Sequence, residues 1–132
     1  MSDNYLLDNE DLRWHLEHSV AWDELIDLVE NGCTLPDGPE SKEEARELYS
    51  TILEEIGRFV AREVAPKAEG FDEVGCRLED GEVVTPEGWD ELFEQAAEMG
   101  LFGLCVPREL GGMNCPITLA NVLSEMLSLI HI

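Results

Sequence analysis

Between Gly100 and Pro116 the chain reads GLFGLCVPRELGGMNCP, and no regular helix holds such a stretch. Pro107 and Pro116 each lack a backbone donor, and Gly111-Gly112 lacks the side chains that restrain a main chain. Its opening, LFGLCVP, is too apolar for a surface loop and is expected to run through the interior. Gly103 lets that crossing pass close to a neighbour, Pro107 fixes its exit, and the glycine pair permits a turn that side chains would block. Any fold must therefore set packed elements on either side of this segment.

The flanks predict helices. In SKEEARELYSTILEEIGRFVAREVAP, Ser41 and Glu44 form a capping box, and Ala45, Leu48, Tyr49, Ile52, Ile56, Phe59 and Val60 follow with helical period. Pro66 is expected to end that run. Upstream, NEDLRWHLEHSVAWDELIDLVENG reads as helix, with Trp22, Leu25, Ile26 and Val29 on one stripe and a left-handed stop at Asn31-Gly32. CTLPDGPE, with two prolines and a glycine, reads as a linker, which divides the chain into a leader at 1–40 and a domain at 41–132.

KAEGFDEVGCRLEDGEVVTPEG reads as irregular, with a small hairpin around Asp80-Gly81 as an option. Thr85-Pro86 is expected to open another helix, burying Trp89, Leu92, Phe93 and Ala96 and closing at Gly100. PITLANVLSEMLSLIHI reads as a last helix, apolar nearly all round and so either buried or lining a cavity. The predicted fold class is all-α: four to five helices and one long irregular loop.

Charge excludes several functions. Thirty acids oppose eight bases, a net charge of −22, which repels nucleic acid and anionic membranes. No stretch reaches membrane-spanning length, and the residues after Met1 lack the pattern of a secretory signal. The four cysteines form no C-x-x-C pair, so free thiols in a reducing cytoplasm are expected. His15 and His18 stand at i, i+3, but no further ligand has diagnostic spacing, so no metal site is predicted. Nucleophilic catalysis has no G-x-S-x-G element to rest on.

AEMGLFGLCVPRELGGMNCPITLANVLSEM closely resembles the N-terminal helical domain of acyl-CoA dehydrogenases. That family carries a helix ending in "lG", an apolar stretch reaching "vPeeyGG", and a helix with a "seE" element that LSEM partly matches. The helix LYSTILEEIGRFVAREVAPKAEGFDE is similar to the family's opening helix at Phe59, Ala65-Pro66, Ala68 and Asp72. The likeness covers about residues 45–128. DNYLLDNEDLRWHLEH resembles the leader of longer bacterial members, including the branch acting on methylmercaptopropionyl-CoA.

The resemblance implies an FAD enzyme that oxidises the Cα–Cβ bond of an acyl-CoA thioester and passes electrons to a flavoprotein acceptor. It implies a homo-oligomer and a catalytic glutamate and flavin contacts in domains beyond this one. No catalytic or cofactor-binding residue is assigned here, and the 132 residues alone are expected to be inactive, as an N-terminal part incomplete at its C-terminal end. By position in the family, Leu119, Val122, Leu123 and Met126 would wall the acyl slot, although each is equally a plain core position. SLIHI at 128–132 reads as a possible artefact of an incomplete frame. From charge alone, an acidic helical protein-interaction module is the alternative.

Overall fold

A computed structural model describes residues 3–128. It is an all-α domain with one small hairpin: α1 (Glu10–His18), α2 (Trp22–Val29), α3 (Lys42–Phe59), α4 (Ala65–Val74), β1 (Arg77–Glu79), β2 (Glu82–Val84), α5 (Trp89–Glu98) and α6 (Ile117–Ser128). The core joins pieces far apart in sequence. Leu6 and Ile26 come from the leader, Ala45, Tyr49, Leu53 and Ile56 from α3, Leu104 and Cys115 from the glycine-rich segment, and Leu119, Val122 and Met126 from α6.

The capping box forms in modified shape. Ser41 Oγ accepts from the Glu44 amide at 3.1 Å, while the Glu44 carboxylate reaches the amide of Glu40, not that of Ser41, at 2.7 Å. Pro66 does not end the helical run. A single π turn at Val60–Val64 widens the ladder, the Ala65 amide bonds the Val60 carbonyl, and Pro66 falls in the first turn of α4. A first-turn proline needs no amide partner, so the chain continues where an unbroken α ladder would have clashed. Residues 67–74 of the stretch expected to be irregular are therefore helix.

The upstream helix is two. It breaks at residues 19–21, and the Trp22 indole turns back to donate to the Leu16 carbonyl at 2.7 Å. Bending lets Leu12 and Leu16 of α1, and Trp22 and Ile26 of α2, all reach the core. The hairpin pairs Leu78 with Val83, and Asp80 and Gly81 take the positive φ values (51° and 85°) of a tight turn. Thr85-Pro86 does not start α5. The helix begins at Trp89, after Gly88 at φ 87°, and the Thr85 hydroxyl caps no amide. Gly100 closes it at φ 74°, as a left-handed C′ residue.

The leader is bound tightly to α3. The buried Asn4 side chain donates to the Glu54 carbonyl at 3.0 Å and accepts from the amides of Leu6 and Leu7, while the Tyr5 amide bonds the Gly57 carbonyl at 3.1 Å. Gly57 makes this approach possible, because a Cβ there would collide with the Asn4 side chain and the Leu6 backbone. Replacing Gly57 with Ala is expected to release residues 3–8 from α3 while leaving the helices formed. Loss of amide protection at Tyr5–Leu7, with helical circular dichroism retained, is the expected result.

Candidate functional site

The glycine-rich segment is a closed, internally bonded unit rather than a buried crossing. Among its residues Leu104 and Cys115 enter the core, but Phe102 and Leu110 are 62% and 73% exposed. Of LFGLCVP, Leu104 is buried and Leu101 packs half-buried against the core, while Phe102, Cys105 and Val106 are exposed, around the two short 3-10 turns Leu101–Gly103 and Arg108–Leu110. The unit closes on itself through bonds from Met113 to Gly103 (3.0 Å), Asn114 to Val106 (2.9 Å), Cys115 to Leu104 (2.8 Å) and Gly112 to Pro107 (3.1 Å). Gly111 sits at φ 87°, and a Cβ on Gly112 would collide with the Val106 carbonyl. Gly111 is therefore favoured by its left-handed backbone, and Gly112 is required by close backbone approach.

A buried ionic cluster anchors this unit. Glu30, the residue following α2, is fully buried, and its carboxylate takes a two-pronged contact from Arg108, Nη1 to Oε2 at 2.7 Å and Nη2 to Oε1 at 2.9 Å. The Tyr49 hydroxyl donates to Glu30 Oε1 at 2.7 Å, and the Asn114 amide donates to Glu30 Oε2 at 3.5 Å and to the Val29 carbonyl at 3.2 Å. The linker covers the pair with backbone: a Cβ on Gly38 would lie 3.0 Å from Arg108 Nη1 and 3.2 Å from Glu30 Oε2. Burial pushes the Glu30 carboxyl up, but hydrogen bonds from Arg108 and Tyr49 outweigh it and leave its pKa lowered. Burial, followed by the bond to Glu30, raises the Tyr49 phenol. Burial likewise pushes the Cys115 thiol up to about 12, which makes it an inert core group.

Beside the unit lies an apolar hollow of about 560 Å³ between α4, α5 and α6. Four aromatic rings run along it in sequence. Phe71 meets Trp89 edge to face at 5.3 Å, Trp89 meets Phe93 at 5.8 Å, and Phe93 stacks on Phe102 at 5.3 Å. Leu101, Leu123 and Leu127 line it from the glycine-rich unit and α6. Among the described residues its lining includes no lysine or arginine, and Asp72 is the one side-chain carboxylate. Such a wall favours an apolar tail but offers no cation to a pyrophosphate. The residues present therefore do not fit the phosphates of a dinucleotide.

Of the four positions singled out on α6, Leu123 faces the hollow. Leu119 and Met126 are fully buried in the core and Val122 is nearly so. Val122 also borders a separate, shallower hollow against α1. The aromatic lining is legible in part: the stripe of Trp89, Leu92, Phe93 and Ala96 that the sequence predicts as buried faces the hollow, and Phe93 is 50% exposed. No local signal in the sequence marks Glu30 itself. His15 and His18 bond Ser19 and the Trp14 carbonyl, and among the described residues no group of three or more His, Cys, Asp or Glu is placed to hold a metal.

With this geometry in view, the family model for the acyl-CoA dehydrogenase N-terminal domain matches residues 46–131, and the chain belongs to that family. The 3-methylmercaptopropionyl-CoA dehydrogenase of Ruegeria pomeroyi is 38% identical to it over 93 residues, 64% of this chain and 16% of that protein. The chain thus matches about a sixth of that relative's length. No solved structure matches it. Among the described residues no helix is long and apolar enough to cross a membrane.

Removing one partner of a buried pair leaves the other charge uncompensated, so Glu30→Gln is expected to cost about 3 kcal/mol in urea unfolding. The pH dependence has a definite sign. A lowered folded pKa means that the contribution of Glu30 is complete above the ordinary carboxylate value of about 4.3 and is lost as pH falls through the folded value. The stability gap between wild type and Glu30→Gln should accordingly stay constant from neutral pH down to about 5 and shrink as pH falls below the ordinary carboxylate value.

Proposed function

We propose that this chain is the N-terminal part of an FAD-dependent acyl-CoA dehydrogenase that oxidises the Cα–Cβ bond of an acyl-CoA thioester to the 2-enoyl-CoA. The observation that carries the reading is the apolar hollow bounded by the glycine-rich unit and α6, with Leu123 on its wall. The family match and the named relative support the reaction class. In this reading the chain supplies a dry wall for the acyl tail, with Leu123 in contact and Leu119, Val122 and Met126 packed behind it. Flavin, catalytic base and nucleotide contacts belong to parts outside the chain.

The charge of −22 supports that division of labour. Coenzyme A carries phosphates, which a surface of this sign repels, whereas an uncharged tail is indifferent to it. Electrons pass to a flavoprotein acceptor, and the whole protein works as a cytoplasmic homo-oligomer.

Two measurements test the proposal. The complete product of the gene is expected to purify with flavin absorbance that bleaches on addition of acyl-CoA, and the 132-residue chain alone to show neither flavin nor turnover. Turnover by the chain alone, or a complete product without flavin, would contradict it. In calorimetry the chain is expected to bind octanoyl-N-acetylcysteamine, a thioester without phosphates. Leu123→Asp should weaken that binding on the order of tenfold, since it places a charge in an apolar wall.

A further inference from the structure

We propose that Glu30, a leader residue, is a positioning residue for the apolar hollow: it fixes the glycine-rich unit whose near end supplies Leu101 and Phe102 to the wall. The inference takes its functional meaning from the acyl-tail reading above, but its geometry stands without it.

The unit behaves as one piece because its four internal bonds tie residues 103–107 to residues 112–115. Two of its side chains, Arg108 and Asn114, converge on Glu30. Leu101 and Phe102 immediately precede Gly103, and Phe102 stacks on Phe93 inside the hollow. A shift of the unit at Glu30 therefore moves the ring at the other end. Glu30 in turn is held by α2, which Lys42 and Arg46 of α3 also grip through Asp27 and Asp23 at 2.6 and 2.8 Å.

The sequence supports the pairing independently. The family match begins at residue 46, so Glu30 lies outside it. Within it, Arg108 stands in VPRELGG, beside the glycine pair that closes the unit. An arginine there, 19% exposed at its side chain, calls for a buried acid, and the leader brings one. Apolar residues could stabilise such a site as well as an ion pair does, but a two-pronged arginine–carboxylate contact also fixes orientation. Orientation is what a loop bearing part of a pocket wall needs.

The test compares the 132-residue wild type with Glu30→Gln, the milder Tyr49→Phe, and Leu53→Ala, a core truncation on the side of α3 that faces Leu6, Leu16 and Trp22. Hydrogen exchange at residues 101–104 and 113–115 is read at a temperature where all four are folded, together with affinity for octanoyl-N-acetylcysteamine. Glu30→Gln is expected to speed exchange in both stretches on the order of tenfold and to weaken the thioester about fivefold, with Tyr49→Phe intermediate. Leu53→Ala should lose comparable stability and leave both readouts near wild type. If Glu30→Gln and Leu53→Ala behave alike, or if Glu30→Gln leaves exchange at 101–104 unchanged, the positioning role is overturned. Should wild type bind no thioester while exchange follows the expected pattern, the acyl-tail reading falls and the positioning of Phe102 by Glu30 stands.

Discussion

A carboxylate with no exposure to water is costly unless its bonds are met, and Glu30 meets them with Arg108, Tyr49 and Asn114. These partners come from the glycine-rich unit and from α3, and Glu30 itself from the leader. No two of the three pieces can separate without stranding a buried charge or hydroxyl. The linker at residues 33–40, which its composition marks as a boundary, closes over the pair at Gly38 and buries Pro39. The leader is therefore part of the folded body. The surface ion pairs around it, Lys42–Asp27 and Arg46–Asp23, are solvent-exposed and contribute much less.

The hollow follows from this arrangement. The π turn lets α4 continue past Pro66 and set Phe71 against Trp89 of α5. The glycine-rich unit delivers Phe102 from a third direction, and α6 closes the wall with Leu123 and Leu127. Every piece contributes apolar surface and none contributes a cation, so the site is selective by chemistry before shape enters: an uncharged tail gains by entering and a phosphate does not. The acids that give the chain its net charge lie mainly outside, on the polar faces of the helices.

Most local signals were readable, although the start signal at Thr85-Pro86 precedes a helix that begins only at Trp89. The Ser41 cap, the Asp80-Gly81 turn, the left-handed Gly100 and the need for glycine at 111–112 all follow from backbone geometry within a few residues. Signals that depend on distant partners were not. Pro66 reads as a stop until the π turn supplies another ladder, and the upstream helix reads as unbroken until Leu16 and Trp22 are both asked to reach one core. The periodicity of α6 cannot say which apolar residue faces a cavity, since Leu119, Leu123 and Met126 belong to the same broad stripe. Glu30 was the least legible. It is one glutamate in an acid-rich chain, and its partner lies 78 positions away. The hint lay in the complementary oddities: a tyrosine hydroxyl on the buried stripe at 49 and an arginine in the motif at 108, each requiring a partner.

The central claim is that Glu30 and Arg108 act as a pair that joins leader to loop. A double-mutant cycle measures it directly, with Glu30→Gln, Arg108→Met and the double variant unfolded in urea at neutral pH. The account predicts a coupling of about 2 kcal/mol or more, with the double variant more stable than the sum of the single losses allows, because removing both charges strands neither. Losses that simply add would contradict it, and the leader would then be held by its apolar contacts and by its bonds to α3, such as Asn4 to Glu54 and Tyr5 to Gly57.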